Sequence, residues 1–145
     1  MEKIVIASDH AGYELKQTII QELKNLNFEV DDKGCFSTDS VDYPDFAHKA
    51  AYDVDKGNVK RGIVICGSGN GVNMTANKYQ NVRSALCWNE EIARLARLHN
   101  DANIMALPAR FITVDEAIKC LHAFINTLFE GGRHINRVNK IPFNP

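Results

Sequence analysis

The chain has 145 residues, of which 45% are hydrophobic and 24% are charged, and its formal net charge is −1. This length suits one compact domain, residues 1–145, rather than two. A charge so close to neutral gives no overall attraction to nucleic acid or to an anionic membrane surface, so neither is expected as a partner.

The four cysteines, Cys35, Cys66, Cys87 and Cys120, form no CxxC pair and have no zinc-ligand spacing. We therefore expect no metal site, no disulfide framework and a reducing compartment. The apolar run at the N-terminus is too short for a signal peptide, and no stretch approaches the length of a membrane helix. These features together predict a cytoplasmic location.

The first third of the chain alternates between two kinds of pattern. Residues 4–8 form a short apolar run that predicts a buried strand, and residues 13–26 have apolar side chains at helical spacing. A second strand is predicted at 28–30, followed by a polar loop at 31–42. Pro44 suits the first turn of a helix that continues to about Val54.

The alternation continues after this helix. Residues 62–66 predict a third buried strand, and the glycine-rich turn at 67–71 leads into a short helix ending near Lys78. Residues 83–87 predict the fourth strand. Asn89 is a suitable N-cap for the next helix, which extends to about His99.

The final third contains a fifth strand and the last helices. Residues 103–107 predict the strand, and Thr113 with Glu116 forms a capping box at the start of a helix with apolar residues up to Leu128. The tail at 131–145 predicts a short helix and an extended end. Five strands alternating with helices predict a single-domain α/β fold with a parallel sheet.

Ligands of parallel sheets bind beyond the carboxyl ends of the strands. This rule brings Asp9 and His10, the turn at 66–71 and Arg110 to one edge of the predicted sheet. Asp9 suits orienting a histidine or contacting a hydroxyl, and His10 suits donation to a phosphate or proton transfer. A local helix cap is an equally good interpretation of Asp9.

The turn with the sequence CGSGNG at 66–71 is the most informative local feature. Successive glycines let backbone N–H groups face inward, and a helix start adds positive charge, so the turn suits an anion. It lacks the lysine of a Walker loop and the glycine spacing of a dinucleotide fingerprint. The alternative is a tight strand-to-helix turn without a ligand.

Cys66 lies at the end of the strand before this turn. A helix N-terminus stabilises a thiolate, which makes Cys66 a candidate base or nucleophile, although free cysteines are more often buried structural residues. We assign that structural role to Cys35, Cys87 and Cys120. His99 is a candidate acid at the end of its helix.

Arg133 and Arg137 are four residues apart and would share one face of a helix. Two guanidinium groups on one face suit a phosphate clamp, and Arg110 is a further candidate. From the residues alone, a solvated basic tail is the better explanation of Arg133 and Arg137.

Seven motifs occur in order along nearly the whole chain. They are SDHAG at 8–12, DKG at 32–34, DYPDFA at 42–47, ICGSGNGV at 65–72, ANK at 76–78, HNDANI at 99–104 and EGGRHINRV at 130–138. Together they resemble the type B ribose-5-phosphate isomerases of the ribose/galactose isomerase family. The resemblance implies a three-layer α/β/α sandwich with a five-stranded, parallel, Rossmann-like sheet. It also implies a homodimer, in some cases paired into a tetramer, with each active site shared between two subunits.

The resemblance further implies a cofactor-free isomerisation of ribose 5-phosphate and ribulose 5-phosphate through a cis-enediolate, a step of the pentose phosphate pathway. Cys66 corresponds to the base that moves the proton between C2 and C1, and Ser68 to the residue that helps protons move between O1 and O2. The anion hole would consist of the amides of Gly67, Gly69, Asn70 and Gly71 together with that of Ser68.

The remaining roles also follow from the resemblance. His99, with Asp9 nearby, would open the furanose ring, and Tyr43 and Asn100 would contact the sugar. The phosphate ligands would be His10, Arg133 and Arg137, with Arg110 as a further candidate.

Three alternatives remain. The first is an isomerase of a six-carbon sugar phosphate, such as allose 6-phosphate or galactose 6-phosphate. The second is a Cys-His hydrolase, which would use Cys66 beside an anion hole but gives no role to Arg133 and Arg137. The third is a phosphate-binding module without catalysis.

Overall fold

One parallel sheet organises the whole chain. The computed structural model describes residues 1–145. The strands are β1 Lys3–Ser8, β2 Glu29–Asp32, β3 Arg61–Cys66, β4 Ser84–Leu86 and β5 Ile104–Pro108. All pairings are parallel, and the strand order is β2-β1-β3-β5-β4.

Six helices accompany the strands. They are α1 Tyr13–Asn25, α2 Tyr43–Asp55, α3 Asn70–Ala76, α4 Glu90–Asn100, α5 Val114–Asn126 and α6 His134–Asn139. None of them combines the length and the apolar character needed to cross a bilayer.

The two faces of the sheet carry separate apolar clusters, because side chains alternate between faces along each strand. Ile4 and Ile6 of β1 pack on the face covered by α1, α4 and α5, whereas Val5 and Ala7 pack on the face covered by α2 and α3. The predicted single-sheet, three-layer α/β/α architecture is thereby confirmed.

Some predicted boundaries differ from the structure. Asp31 and Asp32, expected in a loop, belong to β2 because they pair with Val5 and Ile6 of β1. Aspartate has low strand propensity, and the pairing outweighs it at this sheet edge. Helix α5 ends at Asn126, and Leu128 is exposed rather than part of the apolar stripe.

The predicted capping box at Thr113 is only half formed. The Thr113 hydroxyl accepts from the amide of Glu116 at 3.1 Å, as expected. The Glu116 carboxylate, however, accepts from the amide of Glu90 at 2.8 Å. Since Glu90 is the first residue of α4, this carboxylate caps the neighbouring helix and ties the starts of α4 and α5 together.

We expect Glu116→Ala to lower the free energy of unfolding by about 1 kcal/mol, the usual effect of losing a helix cap. Urea unfolding followed by circular dichroism measures it. Asp115→Ala is the matched control, because it removes a charge from the same first turn of α5. Equal losses in the two variants would contradict a specific cap on α4.

Candidate active site

Strands β1 and β3 meet at the point where the connections leave the sheet in opposite directions. The chain moves outward from β1 to β2 on one side, and β3, β5 and β4 lie on the other. Ser8 and Ile65 are paired at the ends of β1 and β3, and the amide of Asp9 donates to the Ile65 carbonyl at 3.2 Å. Asp9 directly follows β1, and Cys66 is the last residue of the adjacent β3, so both lie at the switch point, where open α/β sheets bind ligands.

Asp9 is buried and holds the turn into α1. Its Oδ1 accepts from the amide of Gly12 at 3.1 Å, so Asp9 stabilises the turn before α1, although no side chain caps the helix itself. A Cβ at Gly12 would lie 2.8 Å from the Ile65 carbonyl oxygen, and only glycine permits this close approach of the turn to β3.

His10 faces the loop that precedes α2. Its Nδ1 accepts a hydrogen bond from the amide of Val41 at 3.2 Å. A nitrogen that accepts carries no proton in neutral imidazole, so Nε2 bears the hydrogen. His10 thus presents an N–H donor, which suits an anionic oxygen.

The glycine-rich turn begins directly after Cys66. The carbonyls of Cys66 and Gly67 accept from the amides of Ala109 and Arg110, both at 2.9 Å, which fixes the turn against the end of β5. Gly69 has φ 74°, and a Cβ there would meet the backbone of Leu107 at 3.2 Å. The backbone path of the turn therefore depends on glycine.

The amides of Gly67, Ser68 and Gly69 donate to no acceptor within the chain. The Ser68 hydroxyl oxygen accepts from the amide of Asn70 at 3.2 Å, which leaves its own proton free for donation. A row of successive unpaired N–H groups at the start of α3 is a suitable cradle for an oxyanion.

Cys66 is 5% exposed and belongs to the apolar cluster on the α2 and α3 face. The residue lies at the strand end beside the cradle, largely shielded from bulk water. The other cysteines are also buried free thiols. Burial raises the pKa of Cys87 and of Cys120 to about 12, which agrees with the structural role assigned to them.

Tyr43 and Arg110 border the turn from two sides. Tyr43 is the first residue of α2, and a Cβ at Gly71 would collide with its ring. The exposed Arg110 side chain lies over Gly67, with Nη1 3.2 Å from the position of a Cβ there. An aromatic ring and a cation therefore flank the cradle.

The other candidate residues lie at the opposite edge of the sheet. His99 and Asn100 are the last two residues of α4, after which the chain enters β5. Ile104, the first residue of β5, pairs with Gly62 and Ser84 at the starts of β3 and β4. Within one chain, His99 is consequently not beside Asp9. The proximity expected from the resemblance is not formed by a single chain.

Arg133 and Arg137 lie on either side of His134 in the chain, and the His134 ring stacks on that of His99. Both arginines are exposed, both belong to the α6 region, and neither forms an ion pair within the chain. Helix α6 packs against α4.

Asn100 also lines a pocket of about 500 Å³, to which the C-terminal residues Ile141 and Phe143 contribute.

Sequence reasoning did not identify Glu130 and His134 as partners of His99. The rings of His99 and His134 stack with centroids 4.4 Å apart, and their Nε2 atoms lie 3.9 and 3.6 Å from Glu130 Oε2. His134 is buried, and its Nε2 has no hydrogen-bond partner. The sequence shows that Glu130 and His134 are four residues apart, but it does not indicate that either residue contacts His99.

This cluster also brings together three potential metal ligands, whose ligand atoms lie within 4.8 Å of one another. Histidine nitrogen and carboxylate oxygen are common zinc ligands. The sequence spacing showed no such group, because the ligands come from α4, from the loop between α5 and α6, and from α6.

Burial, reinforced by His99 and Arg133, lowers the pKa of His134. The unfolded chain then binds a proton at this position at a higher pH than the folded chain does. The free energy of unfolding should therefore decrease as pH falls through the ordinary histidine value of 6.5.

We expect His134→Gln to reduce this loss of stability as the pH falls through the ordinary histidine value of 6.5 toward the lowered pKa. Urea unfolding at several pH values measures the slope. His122→Gln, which removes a partly exposed histidine paired with Glu22, is the control. An unchanged slope in His134→Gln would show that this residue does not carry the effect.

Comparison with known proteins identifies close relatives. A sequence model of the family described as Ribose/Galactose Isomerase matches residues 4–141. Ribose-5-phosphate isomerase B of Escherichia coli is 39% identical over 141 residues, which cover 97% of this chain and 95% of that protein.

Two solved structures are similar throughout. Ribose-5-phosphate isomerase B of Clostridium thermocellum has a TM-score of 0.95 and 48% identity, covering 97% of this chain and 95% of that one. The enzyme of Mycoplasma genitalium with bound ribulose-5-phosphate has a TM-score of 0.92 and 46% identity, covering 96% of this chain and 93% of that one.

Proposed function

The chain belongs to the ribose/galactose isomerase family, and we propose that it is an isomerase that interconverts ribose 5-phosphate and ribulose 5-phosphate. The observation that carries the chemistry is Cys66 beside three successive amides that have no acceptor in the chain. The relatives described above are ribose-5-phosphate isomerases, and no observation favours a six-carbon substrate.

The proposed reaction begins with the open-chain aldose. The Cys66 thiolate removes the proton from C2, the electron pair forms the C1–C2 double bond, and negative charge develops on O1. The amides of Gly67, Ser68 and Gly69 stabilise this enediolate, each contributing about 3 kcal/mol to the transition state. Cys66 then returns the proton to C1, while the Ser68 hydroxyl helps the proton on O2 move to O1.

Water exclusion supports this assignment. Cys66 is 5% exposed, and Tyr43 covers the turn at Gly71. A charge that develops in such a site is stabilised by fixed dipoles rather than by mobile solvent. The position of the cradle is fixed by hydrogen bonds within the chain, since the carbonyls of Cys66 and Gly67 accept from the amides of Ala109 and Arg110 at the end of β5.

The substrate phosphate anchors the other end of the molecule. His10 offers its Nε2–H, and Arg110 offers an exposed guanidinium group at the same sheet edge. Arg133 and Arg137 supply two more cations without partners in the chain. Binding energy from the phosphate, remote from C1 and C2, positions those carbons at Cys66.

A second copy of the chain completes the site in this proposal. Asp9 and Cys66 lie at the carboxyl edge of the sheet, whereas His99, Arg133 and Arg137 lie at the amino edge. A two-fold dimer that places the amino edge of one chain against the carboxyl edge of its partner would form two equal sites, each with a full set of residues. The assembly is thus a homodimer or a tetramer made from such dimers.

The substrate and the cysteines suggest where the protein acts. We place the reaction in the pentose phosphate pathway, since both substrates are pentose phosphates. All four cysteines are free thiols, which suits the reducing cytoplasm.

The activity test uses purified protein with ribose 5-phosphate and, separately, allose 6-phosphate, each with a chelator present. We expect turnover of the pentose phosphate. Cys66→Ala should lower kcat by roughly a thousandfold, as for loss of a general base, while substrate binding persists. The control is Cys120→Ala, which removes a buried thiol packed in the other apolar cluster. Near-normal turnover by Cys66→Ala would exclude this thiol as the base.

Complementation tests the shared site. We expect Cys66→Ala and His99→Asn each to have little activity on ribose 5-phosphate. Refolding them as an equal mixture should restore about a quarter of wild-type activity, because half of the random dimers are mixed and one of their two sites is intact. Each variant refolded alone is the control. No recovery, with mixed dimers demonstrated by two affinity tags, would contradict sharing.

A further inference from the structure

Lys16 is a buried cation that the proposed reaction does not use. Its side chain is 0% exposed, and its Nζ lies 2.7 and 2.8 Å from Oδ1 and Oδ2 of Asp32, which is 26% exposed. The ring centroids of Tyr13 and Phe36 each lie 5.4 Å from the same nitrogen. Lys16 therefore links α1, the end of β2 and the loop that follows β2.

Desolvation offsets much of the attraction within a buried ion pair, so its net contribution to stability is often small. The effect of the Lys16–Asp32 ion pair on the local geometry is more specific than its effect on stability. Asp32 Oδ1 also accepts from the amide of Gly34 at 2.9 Å. The cation of Lys16 thus holds in place the carboxylate that shapes the turn after β2.

This turn continues directly alongside the active-site end of β1. The amide of Ser8 donates to the Gly34 carbonyl at 2.7 Å, and the amide of Cys35 donates to the Ser8 carbonyl at 2.8 Å. Asp9 and His10 are the next two residues. The position of the turn and the start of the β1–α1 connection are consequently coupled through two backbone hydrogen bonds.

The loop that follows β2 contacts His10 near its C-terminal end. We name residues 33–42 the His10 loop, because its Val41 amide donates to His10 Nδ1. That hydrogen bond selects the tautomer with the proton on Nε2. Lys16 contacts Phe36 within the loop, and through Asp32 it holds the beginning of the loop.

We propose that Lys16 is a positioning residue for phosphate binding: its ion pair with Asp32 fixes the His10 loop, and the Val41 amide of that loop keeps His10 in the Nε2–H form. Lys16 acts through His10 and does not touch the substrate. The part that concerns phosphate binding rests on the proposed function. The part that concerns the His10 tautomer is independent of any activity.

The first measurement is the ring nitrogen chemical shifts of His10 in ¹⁵N-labelled full-length protein at pH 8, assigned with His10→Asn. We expect wild type to show the Nε2–H tautomer and Lys16→Met, a neutral substitution of similar length, to show a mixture of tautomers. Lys24→Met removes a charge from an exposed position of the same helix and should leave the spectrum unchanged.

The second measurement is steady-state kinetics with ribose 5-phosphate. Lys16→Met should raise KM roughly fivefold to tenfold, as expected when a mixture of tautomers weakens one hydrogen bond to an anion without removing it, with kcat changed less than KM. Combined with His10→Asn, Lys16→Met should cause no further increase, because its effect passes through that ring. Lys16→Arg, which retains the charge, should recover part of the lost affinity.

Asp32→Asn is the second route if Lys16→Met does not fold, since it keeps an acceptor for the Gly34 amide but removes the ion pair. It should shift the tautomer and KM in the same direction. A folded variant of either kind with an unchanged His10 tautomer would overturn the proposal, even if KM increased. Absence of isomerase activity in wild type would refute the proposed function and leave the tautomer result to be judged separately.

Discussion

The parallel direction of all five strands is the constraint on which the site depends. Every strand ends at the same edge of the sheet, so the residues at or just after the ends of β1, β3 and β5 are brought together without any sequence proximity. Asp9, Cys66 and Arg110 meet there for this reason. The same constraint sends the end of α4 to the other edge, since each helix must return the chain to the start of the next strand. A single parallel sheet therefore divides these candidate residues into two groups by its topology alone.

The site also depends on the close approach of backbone segments to one another and to side chains. Gly12 brings the β1–α1 turn against β3, and Gly67 and Gly71 accommodate the side chains of Arg110 and Tyr43. Gly69 adopts a backbone conformation that favours glycine. The amides of the turn are left without internal acceptors as a result of this path. Packing of the sheet and availability of donors for an anion thus have one structural cause.

Much of the fold was predictable because its strands are short apolar runs bounded by turn residues. The location of Cys66 beside the turn also followed from a local pattern, a buried strand that leads into glycines. Contacts between distant segments were not predictable in this way. Glu116 matched a capping box in sequence, yet its carboxylate reaches Glu90 because α4 and α5 pack side by side. Asp32 appeared to be a loop residue, although pairing with β1 and the ion pair with Lys16 determine its place. The grouping of His99 with His134 likewise depends on how α6 packs against α4.

The raised pKa values of Cys87 and Cys120 have a consequence for oxidative damage. A thiol whose pKa is raised to about 12 is almost entirely protonated at pH 7, and peroxides react with the thiolate. Cys87 and Cys120 are also buried in the apolar cluster between the sheet and helices α4 and α5, so these two thiols resist sulfenic acid formation. In the reaction proposed above, the thiol whose oxidation would abolish activity without unfolding the protein is Cys66, beside the glycine-rich turn. Under that proposal, recovery of activity after mild oxidation would depend on reducing the Cys66 sulfur.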